Sequence, residues 1–292
     1  MGQEIEIIIA RRSGFCFGVK RAVDMAFNAS KTSTGVYTLG PIIHNPQVVE
    51  RLKTKKVLPT ENIETREIQN LIIRTHGVPQ DVSKRLATMP YKVLDATCPF
   101  VKKAQQYAKL LKEAGYQVII IGDKEHPEVK GLMSYAGDKA IVVGKSDPLP
   151  KLKSRVGVVV QTTHPISQLQ GFISDMLWQV KELKVYNTIC NSTALRLKET
   201  KEMAGQVEVM VVVGGKNSAN TTQLAQLCSS LSVPTYHIET AEEIQDAWFK
   251  GVRKAGITAG ASTPEWIIKE VEKRIRDRGG RCRNGHPGKG RD

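Results

Sequence analysis

Three cysteines lie far apart in this chain of 292 residues, at gaps of 82 and 92 residues, and each sits among Gly, Pro, Thr or Asn rather than among core aliphatics. They are Cys16, Cys98 and Cys190, and each closely follows a strand-like run. Structural zinc usually shows close pairs of the C-x2-C type, which this sequence lacks. Remote thiolates also suit an iron–sulfur centre or simple burial. Spacing alone leaves zinc, iron–sulfur and structural roles open.

A second group of residues has the chemistry for binding an anion and moving a proton. Three of the six histidines stand in loop-like segments near Gly or Pro: His44, His76 and His126. Protonated imidazoles donate hydrogen bonds to anions, and Glu128 would deliver protons if burial raises its pKa. Further donors and acceptors are Thr162, Thr193, Ser218, Asn220 and Ser262. Taken singly, each histidine is more often structural, and each hydroxyl near a helix start is more often a cap.

Strand-like and helix-like segments alternate along the chain, which predicts an α/β fold. Several strands are continuous β-branched runs, typical of a parallel sheet buried on both faces. Predicted strands include Leu71–Thr75, Gln117–Ile121, Val156–Val160 and Val207–Val213, and predicted helices include Phe100–Ala114, Ser167–Leu183, Ala194–Gly205, Ala241–Lys250 and Pro264–Asp277. The unusual polar residues follow the strand ends. We therefore expect one polar site lined by strand-end loops.

Composition narrows the class of protein. The chain is 40% hydrophobic and 25% charged, with a formal net charge of +14 and five cysteines. These values predict a folded cytoplasmic protein without a disulfide framework or a membrane span. The positive charge raises a nucleic-acid-binding alternative, but aromatics are only 5% and no RRM, KH or zinc-finger signature appears. A metal-free phosphate-binding α/β enzyme is the other alternative. The Gly- and Arg-rich segment 279–292 predicts a disordered basic tail in which Cys282 is an exposed thiol, whereas Cys228 in an apolar stretch predicts a buried one.

Nine motifs together resemble one known family, the 4-hydroxy-3-methylbut-2-enyl diphosphate reductases, which catalyse the last step of the methylerythritol phosphate route to isoprenoids. The similarity runs from about residue 6 to 277. In order, the motifs are Gly14-Phe15-Cys16-Phe17-Gly18-Val19, His44-Asn45-Pro46, His76-Gly77-Val78, Asp95-Ala96-Thr97-Cys98-Pro99, His126-Pro127-Glu128, Gln161-Thr162-Thr163, Thr188-Ile189-Cys190, Gly215-Lys216-Asn217-Ser218-Ala219-Asn220 and Thr258-Ala259-Gly260-Ala261-Ser262. Ala219 departs from members that carry a second serine there.

The resemblance implies three small parallel-sheet α/β lobes in a pseudo-three-fold arrangement around a [4Fe–4S] cluster. We expect them at 1–98, 99–187 and 188–278, with the packing of the N-terminal strand left open. The implied ligands are Cys16, Cys98 and Cys190, which leave the fourth iron free for the substrate hydroxyl. The implied substrate-binding residues are His44, His76, His126, Thr162, Thr193, Ser218, Asn220 and Ser262.

For the reaction, the resemblance implies that Glu128 relays protons while two electrons and two protons yield isopentenyl and dimethylallyl diphosphate. The positive surface predicts an acidic ferredoxin or flavodoxin as electron donor. We expect a monomer or weak homodimer, with no nucleic-acid or membrane partner.

Overall fold

A computed structural model describes residues 5–64 and 67–281, and within them the chain forms twelve strands and nine α-helices. In chain order these are β1 (Glu6–Ile9), α1 (Phe17–Thr32), β2 (Val36–Leu39), α2 (Pro46–Lys53), β3 (Val57–Thr60), β4 (Asn70–Ile73), α3 (Gln80–Leu86), β5 (Lys92–Asp95), α4 (Pro99–Glu113), β6 (Gln117–Ile121), α5 (Pro127–Ala136), β7 (Ile141–Val143), β8 (Arg155–Val160), α6 (Ile166–Leu177), β9 (Glu182–Val185), α7 (Asn191–Ala204), β10 (Val209–Val213), α8 (Ala219–Ser230), β11 (Thr235–Ile238), β12 (Lys254–Ala259) and α9 (Glu265–Arg281). The chain divides into a larger compact unit, Cys16–Ala194, and a smaller one, Met1–Phe15 with Leu195–Asp292.

The larger unit contains two four-stranded parallel sheets. The first has the order β3-β2-β4-β5 and the second the order β7-β6-β8-β9. In their central strands, all four residues of β4 and the last five of β8 are buried. Burial on both faces explains why these strands read as unbroken apolar runs in the sequence.

The smaller unit contains a third parallel sheet, ordered β1-β12-β10-β11. The N-terminal strand β1 thus pairs with β12, near the other end of the chain. All five residues of β10 are buried, and α9 covers the sheet with Ile267, Ile268, Val271 and Ile275. The predicted α/β class with three small parallel sheets is confirmed. The exact lobe boundaries stay a prediction.

Three segments differ from the sequence-based expectations. The helix predicted over Ala241–Lys250 is wrong, because two short 3-10 turns, Ala241–Glu243 and Asp246–Phe249, stand there instead. The helix predicted over Ser167–Leu183 is too long, since α6 ends at Leu177 and the chain enters β9 at Glu182. Helix α9 continues to Arg281, four residues past the predicted end, and the rest of the predicted tail, including Cys282, lies outside the described residues.

Candidate active site

The three spaced cysteines each stand directly before a helix of the fold. Cys16 and Cys98 are the N-terminal caps of α1 and α4, and Cys190 immediately precedes α7. All three belong to the larger unit and carry free thiols. Burial, with smaller contributions from Cys16 and Cys190, raises the pKa of the Cys98 thiol to about 11. The fold therefore gathers the three thiols within electrostatic reach of one another.

Backbone amides of the helix starts point at two of these sulfurs. The N–H groups of Phe100 and Val101 donate to Cys98, and those of Ser192 and Thr193 donate to Cys190. Such donors favour the thiolate, which is the form that binds metal. They act against the burial that raises the pKa of Cys190. Three half-buried thiolates at one place need a cation among them, so the donor set fits a thiolate-bound metal centre.

Short loops fix the cysteines by their own backbone. The Cys98 N–H donates to the Thr75 carbonyl at 2.9 Å, and the Cys190 N–H donates to the Thr162 carbonyl at 2.8 Å. A Cβ added at Gly18 would lie 2.6 Å from the Cys98 sulfur, so only glycine lets α1 approach this thiol. The two backbone bonds tie Cys98 and Cys190 to strand-end loops of the two sheets.

His44, His76 and His126 come from three separate strand-end loops and form one cluster in the larger unit. The ring centroids of His44 and His76 are 4.6 Å apart, those of His76 and His126 are 5.3 Å apart, and those of His44 and His126 are 5.9 Å apart. One ring nitrogen from each lies within 4.8 Å of the others, a geometry compatible with a metal ion or with an anion. The sequence-based expectation that these histidines share a site agrees with this geometry.

Three observations favour the anion. The Nδ1 of His126 accepts a hydrogen bond from the Glu128 N–H at 3.2 Å, so in the neutral ring Nε2 carries the proton and is a donor. Burial lowers the pKa of all three histidines, and the nearby guanidinium of Arg74 lowers it further. The same positive charge would repel a metal cation. Within the described residues, the buried Nδ1 of His76 and Nε of Arg74 have no hydrogen-bond partner. An oxyanion would supply the missing acceptors.

Glu128, predicted as the proton carrier, is only 2% exposed at the second residue of α5. Its carboxylate accepts two hydrogen bonds from Thr162, at 2.6 Å from the backbone N–H and at 2.8 Å from Oγ1. Burial raises the pKa of Glu128 to about 7 although both hydrogen bonds lower it. A carboxyl with this pKa exchanges protons near neutral pH. Because the Thr162 carbonyl also binds the Cys190 N–H, this acid is linked to a cysteine loop.

The remaining predicted residues fall into two places. Thr193 is buried in the first turn of α7, within the larger unit, where its N–H donates to the Cys190 carbonyl. Ser218, Asn220 and Ser262 are buried in the smaller unit, where the Asn220 amide oxygen accepts from the Ala261 N–H at 3.1 Å. Ser218 caps α8 without a side-chain cap bond. The structure thus brings the two strand-end loops of the smaller unit into direct contact.

The sequence analysis did not single out Arg74. Arg74 directly follows β4 and lies two residues before His76. Nothing else in the sequence distinguishes it from the other arginines of the chain. The structure also separates structural residues from candidate ones: the His237 ring bonds the Gly214 carbonyl, and Cys228 is fully buried in an apolar cluster, which confirms its prediction. His286 lies outside the described residues.

Comparison with known proteins decides the family. The model of the family described as LytB protein matches residues 7–276. The chain belongs to the LytB family. A reductase named 4-hydroxy-3-methylbut-2-enyl diphosphate reductase from Pelobacter propionicus is 50% identical over 273 residues, which cover 93% of this chain and 98% of the relative. The enzyme of the same name from Geobacter sulfurreducens is 48% identical over 276 residues, covering 94% and 98%.

Solved structures agree with this assignment to the LytB family. A structure of (E)-4-hydroxy-3-methyl-but-2-enyl diphosphate reductase, described as the terminal enzyme of the non-mevalonate pathway, is 46% identical with a TM-score of 0.74 over 94% of this chain and 99% of that one. The reductase from Plasmodium falciparum has a TM-score of 0.83 at 24% identity over 94% and 87%, which shows the shared fold. The resemblance read from the nine motifs is confirmed, and the chain is an enzyme of this reductase family. No helix in the described part of the chain is long and apolar enough to cross a bilayer.

Proposed function

We propose that this enzyme reductively removes the hydroxyl group of 4-hydroxy-3-methylbut-2-enyl diphosphate, giving isopentenyl and dimethylallyl diphosphate. The observation that carries the proposal is the gathering, in one unit, of three half-buried thiols, a histidine cluster suited to an anion and a carboxyl with a pKa of about 7. Two electrons and two protons enter for each substrate. The C–O bond breaks, the hydroxyl leaves as water with one proton, and the carbon skeleton takes the other.

Cys16, Cys98 and Cys190 would hold a [4Fe–4S] cluster. When bound, that cluster supplies the electrons and, at the iron without a protein ligand, a Lewis acid toward the leaving hydroxyl. The backbone donors at Cys98 and Cys190 offset part of the negative charge of the thiolates.

The histidines and Arg74 hold the diphosphate. An incoming phosphate group provides acceptors for the unpartnered Nδ1 of His76 and Nε of Arg74, and its charge raises the depressed histidine pKa values. Ser218, Asn220 and Ser262 of the smaller unit are proposed as further diphosphate-binding residues on the strength of family membership. The binding energy of the diphosphate then fixes the allylic end of the substrate.

Glu128 holds the proton that is transferred. Its buried carboxyl is protonated near neutral pH, and the two bonds from Thr162 fix its orientation. Thr162 is proposed to lie near the hydroxyl end of the substrate, and Thr193 is proposed as a further substrate-binding residue. Proton transfer from a group fixed in this way needs no rearrangement of the loop.

An external carrier must supply the electrons, and the net charge of +14 favours an acidic ferredoxin or flavodoxin. We propose a cytoplasmic enzyme, monomeric or weakly dimeric, that binds no nucleic acid.

Anaerobic purification tests the proposal. The wild-type protein should be brown, contain about four irons per chain, as the proposed [4Fe–4S] cluster requires, and turn over the diphosphate with a small reductant such as dithionite-reduced methyl viologen. Cys98→Ser should lose iron and turnover together, whereas Cys228→Ser, at the buried structural cysteine, should keep its iron. A colourless wild-type protein without iron after anaerobic reconstitution would overturn the proposal.

A further inference from the structure

The segments that follow two of the three cysteines share a pattern. In both, a phenylalanine comes one or two residues after the cysteine, and basic residues occupy the fourth and fifth positions. The segments are Cys16-Phe17-Gly18-Val19-Lys20-Arg21 and Cys98-Pro99-Phe100-Val101-Lys102-Lys103. Cys190 is followed by Asn, Ser and Thr, with Ala194 and Leu195 at the positions of the basic pair. The pattern thus marks the starts of α1 and α4 but not that of α7.

Both phenylalanines are exposed, at 68% for Phe17 and 41% for Phe100. Both therefore contribute less to the free energy of folding than a buried phenylalanine would, because only apolar area removed from water is stabilising. Exposed aromatics are typical of protein interfaces. The two helix starts lie close together, because a Cβ at Gly18, beside Phe17, would be 2.6 Å from the sulfur of Cys98. Because each phenylalanine lies within two residues of a cysteine of the proposed metal centre, a partner bound there would lie next to that centre.

A groove of about 730 Å³ begins at Phe17 and runs along α1 against β5. Its lining includes Lys20, Arg21 and Met25 from α1, and Leu94 from the strand that leads to Cys98. The Arg21 guanidinium donates to the carbonyls of Asp95 at 3.0 Å and Thr97 at 3.3 Å, so the wall of the groove is bonded to the Cys98 loop. The groove therefore adjoins two cysteine loops at once.

The charge of this surface selects the partner. Helix α4 carries four lysines against one glutamate, and α1 also has a positive excess. The ion pairs Lys20–Asp24 and Lys102–Asp95 are largely exposed, with side chains 40% to 67% accessible. Exposed pairs of this kind contribute little, and their lysines can exchange partners at small cost. Acidic side chains of a docking protein could therefore pair with lysines that surround the exposed phenylalanines. An apolar centre with a polar rim is the usual arrangement of a protein interface.

We propose that Phe17 and Phe100, with Lys20, Lys102 and Lys103, form the docking face of a small acidic electron-transfer protein. This inference rests on the proposed reductase function and adds the place of electron entry: beside Cys16 and Cys98, at the starts of α1 and α4. A one-electron carrier is oxidised once at each docking, so two dockings supply the two electrons of one turnover. We call the five residues the donor face.

The test compares a protein donor with a small one. In the cluster-loaded enzyme, the double variant Lys20→Glu/Lys103→Glu should raise the KM for a reduced bacterial ferredoxin at least about tenfold at low ionic strength. The Kd for oxidised ferredoxin, measured by calorimetry without turnover, should rise by a similar factor. The turnover rate with dithionite-reduced methyl viologen should stay that of the wild type, because a small reductant needs no docking face.

A matched control reverses the same amount of charge elsewhere. Lys145→Glu/Lys181→Glu changes two exposed lysines outside the donor face and should leave both the KM and the Kd for ferredoxin within about twofold at the same ionic strength, since neither lysine belongs to the proposed contact. Phe17→Ser tests the apolar part and should weaken ferredoxin binding at high as well as low salt, because apolar contact is not screened.

Two results would overturn the donor face. One is an equal loss with ferredoxin and with methyl viologen, which would mean that these residues support the metal centre itself. The other is an equal effect of the two double variants on the Kd, which would mean that total charge alone attracts the donor. Failure of the wild-type enzyme to turn over with methyl viologen would instead overturn the proposed function, and the calorimetric comparison distinguishes the two cases.

Discussion

The carboxyl of Glu128 illustrates how much a single position depends on its surroundings. Nothing within the residue distinguishes it from the many solvated glutamates of the chain. Its burial at the start of α5 raises the pKa to about 7, while two hydrogen bonds from Thr162 stabilise the charged form and limit that rise. The balance leaves an acid that is protonated below neutral pH and charged above it.

If Glu128 is the proton donor, turnover follows its protonation. We expect kcat with methyl viologen to fall as the pH rises through about 7, because the protonated form is lost above the pKa. Glu128→Gln should keep its iron and lower kcat roughly 10²-fold or more, without this pH limb. Profiles of kcat against pH for the two proteins check this. Wild-type turnover in Glu128→Gln would contradict the role.

A substitution at Thr162 changes the pKa of Glu128 without replacing Glu128 itself. Thr162→Val removes the Oγ1 donor but keeps the shape of the side chain and the backbone bond. The pKa of Glu128 should then rise, and the falling limb of the profile should move to higher pH. A limb that stays in place would show that a group other than Glu128 controls it.

At the scale of elements, the decisive feature is that helices begin at cysteines. A helix start offers backbone donors to sulfur and a fixed exit direction for the chain. The helix start also packs closely against a neighbouring cysteine: a Cβ at Gly18 of α1 would lie 2.6 Å from the Cys98 sulfur. Neither α1 nor α4 can shift without moving a thiol.

Gly18→Ala should therefore displace the Cys98 thiol and lower the iron content after anaerobic reconstitution while the protein stays folded. Gly171→Ala is its control, because no atom lies within 4 Å of a Cβ added there in the exposed face of α6. Alanine at an exposed helical position should be neutral or stabilise by up to about 1 kcal/mol. Iron analysis and far-UV circular dichroism of both variants check this. Equal iron content in the two would contradict the steric argument.

A second element-scale device is a buried arginine on α7. Arg196 is 2% exposed and donates to the Ala259 carbonyl at 2.7 Å and to the Gly14 carbonyl at 2.9 Å. One turn further on, Glu199 accepts from the N–H groups of Arg11 and Arg12 at 2.8 and 2.9 Å. Because Gly14 lies two residues before Cys16 in the chain, α7 holds the segment that leads to one cysteine while its own start follows another.

Replacing Arg196 should weaken the binding of the metal centre. Arg196→Met keeps the apolar stem but leaves two buried carbonyls without their donor, which should cost about 2 kcal/mol or more. We expect faster release of iron to a chelator and a lower Tm. Lys198→Met, at an exposed position of the same helix, should change neither. Equal release rates in the two variants would show that Arg196 stabilises the fold without positioning the cysteine segment.

At the scale of the whole molecule, the strands that could be predicted from the sequence are the long, fully buried ones. Strands such as β8 and β10 were clear because burial on both faces leaves an unbroken apolar run. Strands β2 and β3 were not predicted. Strand β3 contains Pro59, which is tolerated there because β3 is a sheet edge. The segment 241–250 has helical spacing, yet Glu243 binds the N–H groups of Glu239 and Thr240, and the core takes Ile244 and Phe249 from an irregular backbone.

The candidate site divides in the same way. Residues with distinctive chemistry beside Gly or Pro, such as Cys98 and His126, could be selected from the sequence. Arg74 and Arg196 could not, since an arginine is ordinary in a sequence and acquires meaning only through burial among particular carbonyls and rings. Contact in three dimensions, not residue type, identifies such residues.

Metal binding should also stabilise the chain as a whole. The three cysteines are separated by 82 and 92 residues, so a centre that joins them closes two long loops of the larger unit and binds the folded state alone. We expect anaerobic reconstitution with iron and sulfide to raise the Tm of the wild-type protein by several degrees, as about 2–3 kcal/mol of linkage predicts for a chain of this size. Cys98→Ser should show no such rise, because two thiols cannot close both loops. An equal Tm for the wild-type protein with and without iron would contradict this linkage, because a centre that binds only the folded chain must stabilise it even where the fold already holds the three thiols in place.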